Sequence, residues 1–187
     1  MSVFTNPAAA AKQEAEAYIA AILDTLADQE PLTVLEASPA VLDGGVAGLT
    51  KDVLRAPEAP GKWSMLETIQ HLADSELVWA YRLRMVLAQD KPDITGYDQD
   101  LWAKRLNYQT SELSDALAQF KLLRAANLRL LRSLSAEELQ RVGLHKERGE
   151  ESVQHMMRLY AGHDLVHLRQ LSRIRTKVRR SQSPDRE

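Results

Sequence analysis

Two long stretches of this chain, residues 62–91 and 97–142, contain neither glycine nor proline. Those two residue types are the strongest local breakers of regular structure, so each stretch can run as helix over most of its length. The residues that fill the chain decide for helix over strand. Leucine (28) and alanine (24) far outnumber valine (11) and isoleucine (5). The first pair lose little rotamer freedom in a helix, whereas the β-branched pair favour a pleated surface. The expectation is an all-α fold. With 187 residues, 44% hydrophobic and 27% charged, the chain is the size of one domain with an ordinary core.

Spacing places the helices. Pro7 and the run Ala8 to Ala11 open a first, accessory helix over about 8–28, with Tyr18, Ile22 and Leu26 at helical intervals. Pro31 suits the first turn of a second helix, which ends before Gly44, Gly45 and Gly48 or runs through them. A proline-rich loop, Ala56 to Gly61, separates it from the third long helix. Ser64 and Glu67 form a capping box that starts this helix, and Lys91-Pro92-Asp93 stops it. A short turn of helix follows over 97–105, then a long helix from Ser111 to Leu134. Ser135 and Glu138 form a second box, expected to open a short helix, and Gly143 to Gly149 reads as a polar turn. The last helix is expected from Ser152 to Lys177. Long amphipathic helices of this kind assemble as a four-helix bundle with short accessory helices, here one domain over 1–178.

Composition also excludes some functions. No apolar run exceeds about six residues, as in Tyr18 to Leu23, against the roughly 18–20 that cross a bilayer. The first residues lack the basic and apolar regions of a signal peptide, and cysteine is absent, which suits a reducing cytoplasm. A net charge of −2 gives no field that would draw the chain to nucleic acid or to a membrane. The absence of cysteine rules out a thiolate zinc site and a cysteine nucleophile.

The last helix carries the informative pattern. Its inward stripe runs Val153, Met156, Tyr160, His163, His167, Leu171, Ile174 and Val178, in steps of three and four. Two of these positions are histidines at i and i+4, which project about 40° apart and can share one metal. Two buried imidazoles without partners would cost about 1–3 kcal/mol each, a penalty that a shared cation or nearby carboxylates would remove. The motif is not HExxH, because Asp164 stands where a metalloprotease helix has glutamate. A bundle site draws ligands from more than one helix, and His71 is the natural third. Its helix is apolar nearly all round, so periodicity leaves His71 open between a ligand and a surface residue.

These segments together resemble the DinB-like superfamily. The matching residues are Trp63-Ser64, His71-Leu72-Ala73-Asp74-Ser75-Glu76, Tyr81-Arg82-Leu83-Arg84, Tyr97-Asp98 with Trp102, and Ala161-Gly162-His163-Asp164-Leu165-Val166-His167. The nearest pattern is the YfiT-like branch, which includes metal-dependent hydrolases and bacillithiol transferases, and the likeness runs from about Tyr18 to Ile174. It implies a bundle with up-down-down-up connection and one divalent metal, nickel or zinc, held by His71, His163 and His167. It also implies a homodimer. Two positions depart from the pattern: Gln70 where a tandem histidine often stands, and Gly162 in place of an aromatic.

Three protein nitrogens leave an open position on the metal. The expected function is therefore metal-assisted chemistry, as transfer of a low-molecular-weight thiol to an electrophile or a related hydrolysis. The alternative is a non-catalytic, stress-related dimeric bundle that binds a metal or ligand. Asp74, Glu76 and Asp164 lie near the ligands in sequence and are expected in surface salt bridges, the alternative being that they orient the imidazoles. His155 is expected on a helix flank and His145 in a loop. Trp63, Trp79 and Trp102 read as core anchors, with Tyr97, Asp98 and Trp102 alternatively at a pocket mouth. The cations Arg173, Arg175, Lys177, Arg179 and Arg180 read as a solvated helix end leading into a disordered tail over 179–187.

Overall fold

The structure is a computed structural model that describes residues 12–181. The expected helix start at 7–11 and the tail residues 182–187 lie outside the described residues. The helices are α1 (Lys12–Leu26), α2 (Pro31–Val46), α3 (Lys51–Arg55), α4 (Met65–Ala88), α5 (Gln99–Arg105), α6 (Leu113–Arg132) and α7 (Val153–Ser181). Three short strands, β1 (Asp93–Ile94), β2 (Val142–His145) and β3 (Gly149–Ser152), complete the fold.

Local chemistry sets these boundaries. Glu30 caps α2 by accepting from the Thr33 N–H, with Pro31 in the first turn. The helix then runs through Pro39, Gly44 and Gly45, because Val34, Leu35, Ser38, Leu42 and Val46 are buried along one face. The Ser64–Glu67 box is formed in both directions, at 2.8 and 3.2 Å. The Ser135–Glu138 box is formed too, but it opens only a 3-10 turn over Glu138–Gln140, not a helix.

The polar turn expected over 143–149 is instead a hairpin. β2 and β3 pair antiparallel, and β1 joins parallel to β2 through Asp93↔Leu144 and Ile94↔His145. Gly143 makes this possible, since a Cβ there would lie 2.6 Å from the Ile94 side chain and 2.8 Å from that of Val86.

Four helices form the bundle. α2 packs on α7 and α6, α4 packs on α6 and α7, and α1 lies outside against α7. One apolar layer holds Leu35, Trp79, Leu83, Leu131, Val153 and Met156. A second holds Leu42, Met65, Ile69, Phe120, Leu171 and Ile174. The order in which each helix meets the layers reveals its direction. α2 and α7 pass from the first layer to the second, while α4 and α6 pass from the second to the first. The connection is therefore up-down-down-up. Between the layers lies a polar one, carried by residues 71–76 of α4, 124–127 of α6 and 163–167 of α7.

The basic end of α7 is not simply solvated, and the helix continues through Ser181. Arg173 pairs with Glu58, Lys177 donates to the Glu58 carbonyl, and Arg175 donates to the carbonyls of Gly44, Gly45 and Ala47. Arg175 thereby satisfies the carbonyls that the C-terminus of α2 leaves unpaired. Gly162 has an equally specific reason. A Cβ there would lie 2.5 Å from the Ile22 carbonyl oxygen, so the missing side chain lets α1 lie close against α7.

Candidate metal centre

The three histidines meet in the polar layer. α7 supplies His163 and His167 one turn apart, and the antiparallel α4 presents His71 opposite them. His71 Nε2 lies 3.1 Å from His163 Nε2. The ring centroids are 4.6–5.2 Å apart, and one nitrogen from each ring lies within 4.8 Å of the other two. Two imidazole nitrogens on one zinc-like ion stand about 3–3.4 Å apart, given bonds of about 2.0–2.1 Å. The 3.1 Å pair meets that figure, and the wider spacing requires one ring to turn slightly inward.

Hydrogen bonding supports the same orientation. His167 Nδ1 is 3.1 Å from Gln170 Oε1, which accepts its N–H and leaves Nε2 as the lone-pair nitrogen. Trp63 leans on the His71 ring at 4.9 Å, and the buried Nδ1 of His71 has no hydrogen-bond partner. All three rings are held neutral. Burial lowers the pKa of His71 well below the ordinary histidine value, and the charges of His167 and His163 lower it further. Burial does the same to His163, aided by His167 and Arg124. His167 is also lowered by burial, against the opposing Gln170 hydrogen bond. Hydrogen bonds among three neutral imidazoles can satisfy them only pairwise, whereas a cation would engage all three lone pairs at once.

The carboxylates expected at the surface are buried. Arg124 donates from Nε and Nη2 to Glu76 (3.1 and 2.8 Å) and from Nη1 and Nη2 to Asp164 (2.7 and 3.2 Å). Asn127 also donates to Glu76, at 2.8 Å. Asp74 accepts from Tyr108 at 2.6 Å and from Gln119 at 3.0 Å. None of the three hydrogen-bonds to an imidazole of the triad, so they fix the helices around it. Burial still pushes the Glu76 carboxyl up, in spite of Arg124. The helical spacing of α6 puts Arg124 on its inward stripe but does not reveal its pairing with Glu76 and Asp164.

A cleft of about 600 Å³, measured out to its open mouth, adjoins the triad. It is bounded by Tyr18 and Ile22 of α1, Ser75 and Arg82 of α4, Tyr97, the hairpin residues Arg148 and Glu151, and Tyr160 and His163 of α7. His163 is the triad member that lines it, while His71 and His167 are buried behind. Tyr97 hydroxyl lies 2.8 Å from Ser75 Oγ, which in turn lies 3.4 Å from His71 Nε2. Trp102 stacks at a tilt behind Tyr97, at 4.5 Å, and Trp79 is a true core anchor, fully buried and stacked on Tyr160 at 4.4 Å. His145 is not a loop residue; it is buried on β2, and burial with Arg148 nearby lowers its pKa to about 4. It stands outside the triad, as does the half-buried His155.

The family model described as the DinB superfamily matches residues 34–171. The chain is 30% identical over 146 residues to "Putative metal-dependent hydrolase YfiT" of Bacillus subtilis, covering 76% of this chain and 82% of that protein. It is 28% identical over 145 residues to "Putative metal-dependent hydrolase OB0782" of Oceanobacillus iheyensis, covering 78% and 84%. The solved structure of YfiT from Bacillus subtilis superposes with a TM-score of 0.71 at 28% identity, covering 79% of this chain and 86% of that one. That structure is described as a probable metal-dependent hydrolase with an unusual four-helix bundle topology.

Proposed function

This chain belongs to the DinB superfamily, and from that footing we propose that it is a metal-dependent enzyme acting on small molecules. His71, His163 and His167 hold a divalent transition metal, nickel or zinc, and the substrate enters through the adjoining cleft. The observation that carries this reading is the convergence of three neutral imidazoles of which one borders a cleft. A structural zinc normally takes four protein ligands, so a set of three matches a centre with a position left for substrate. The chemistry supplied there is Lewis acidity, which makes a water or a thiol acidic near neutral pH.

The protein's own contribution is arrangement. Gln170 holds the His167 ring in one tautomer, and the Arg124 layer holds α4, α6 and α7 at the spacing the triad needs. The Ser75 hydroxyl is hydrogen-bonded to the Tyr97 hydroxyl and so holds Tyr97 at the cleft wall. The reaction is transfer of a low-molecular-weight thiol to an electrophile, or a related hydrolysis. The lack of any cysteine suits the first, since the sulfur must come from outside.

Protein purified without chelator and supplied with zinc or nickel should carry about one ion per chain. His163→Ala should abolish that occupancy while the helical circular dichroism persists. Bacillithiol, mycothiol, glutathione and cysteine, each tested with a chlorinated aromatic, should reveal transfer, and an activated ester should reveal hydrolysis. A protein that loads no metal, or a loaded one that turns over neither class of substrate, would refute the reading.

A further inference from the structure

Arg82 sits on the same face of α4 as His71, because eleven residues make close to three helical turns. It lines the cleft, yet only 8% of it is exposed. One of its Nη nitrogens donates to the Thr95 carbonyl. Its Nε is buried with no hydrogen-bond partner, and no carboxylate lies within ion-pairing distance of it among the described residues. A buried guanidinium without a counter-charge is costly, and proteins rarely keep one unpaired.

The other charges around the cleft are already matched. Arg148 is held by both oxygens of Glu151. Glu76 and Asp164 are taken by Arg124. The hydroxyls of Tyr18 and Tyr160, both lining the cleft, likewise have no hydrogen-bond partner among the described residues. The cleft is therefore lined by a guanidinium without a counter-charge and two phenol hydroxyls without a partner, and Ile22, Met156 and Leu159 supply apolar surface.

We infer that Arg82 is an anion anchor, and that the substrate of this cleft is a small amphiphilic molecule bearing a carboxylate. The carboxylate pairs with the exposed part of the guanidinium, the apolar body lies along Ile22, Met156 and Leu159, and the remainder extends toward His163. Arginine suits this task because its planar donors match the two oxygens of a carboxylate. The proposal rests on the reading above only for what the far end of the molecule meets.

The test compares 4-phenylbutyrate with its neutral isostere, 4-phenylbutanamide, by titration calorimetry on the full chain, metal-free and zinc-loaded. The carboxylate should bind roughly tenfold or more tightly than the amide. Arg82→Gln should remove that preference, and Arg82→Lys should keep part of it, since the charge stays while the fork is lost. Equal affinities in the wild type, no measurable binding of 4-phenylbutyrate at millimolar concentration, or a preference that survives Arg82→Gln would each show Arg82 to be only a strut to Thr95. If Arg82→Gln does not fold, the wild-type pair and Arg82→Lys decide. A preference seen in metal-free protein that never loads metal would uphold the anchor while refuting the metal centre. Metal loading without any preference would do the reverse.

Discussion

Replacing Arg124 by leucine would leave the Glu76 and Asp164 carboxylates facing each other in the core. The side chains of Arg124, Glu76 and Asp164 are 1%, 1% and 3% exposed, so water cannot stand in for the guanidinium. Breaking a buried pair in this way costs about 3–5 kcal/mol. The Arg124 guanidinium also lies 4.6 Å from the Phe120 ring centroid, an attraction that leucine does not supply. For a chain of this size each kcal/mol shifts Tm by about 2–4 °C, so the fall should be roughly 6–20 °C.

The pH dependence identifies the cause. Burial raises the Glu76 carboxyl above its ordinary value even with Arg124 beside it. A carboxyl raised in the folded state contributes its stability at acid pH and withdraws it as pH rises through the folded value. Removing Arg124 raises it further, so the gap between wild type and variant should be narrow near about pH 5 and wide near about pH 8. Urea denaturation of both proteins at the two pH values measures it, and Glu76→Gln with Asp164→Asn in the Arg124→Leu background should recover much of the loss. A gap that does not vary with pH, or one below about 1 kcal/mol, would refute the reasoning.

Metal-free protein should lose stability as pH falls below the ordinary histidine value of about 6.5, because His71, His163 and His167 are lowered in the folded state and protonate first when unfolded. His145 adds to that loss between the ordinary histidine value and its own of about 4, and urea midpoints from neutral to acid pH follow both. Gly162→Ala should lower stability by about 1–3 kcal/mol by driving α1 from α7. Gly44→Ala, with open space around its Cβ in α2, should raise it by about 0.5–1 kcal/mol, both read by thermal melting. Arg175→Ala should cost about 1 kcal/mol or more through the uncapped end of α2, seen as faster amide exchange in residues 44–47.

Much of this molecule was legible in its residues because the relevant signals are local. The Ser64–Glu67 box, the interruption at Pro92 and the i,i+4 histidines of α7 each act within a few residues. What was not legible depends on partners far along the chain. Val142-Gly143-Leu144-His145 has little strand propensity, and becomes β2 because Ile94 and Val86 close over Gly143. His71 had no clear face because α4 is buried on nearly every side, so no exposed stripe marks which residues look inward. Glu76 and Asp164 resemble surface charges until Arg124, 48 and 40 residues away, arrives between them. Arg82 carried a faint signal, its helical phase with His71, but nothing in the chain announced that it would lack a counter-charge.

The up-down-down-up path also sets a schedule. Two of the three imidazoles ride on α7, 92 residues or more after His71, and α7 is synthesised after every other helix of the bundle. A nascent chain that has made α1 through α6 holds one lone imidazole of the set and no chelating pair. If the triad holds an ion as proposed, its capture is confined to the moment α7 docks and cannot template the earlier helices. A ribosome-bound fragment ending before Val153 should ignore zinc, whereas the finished chain should take it up as a late, post-translational event.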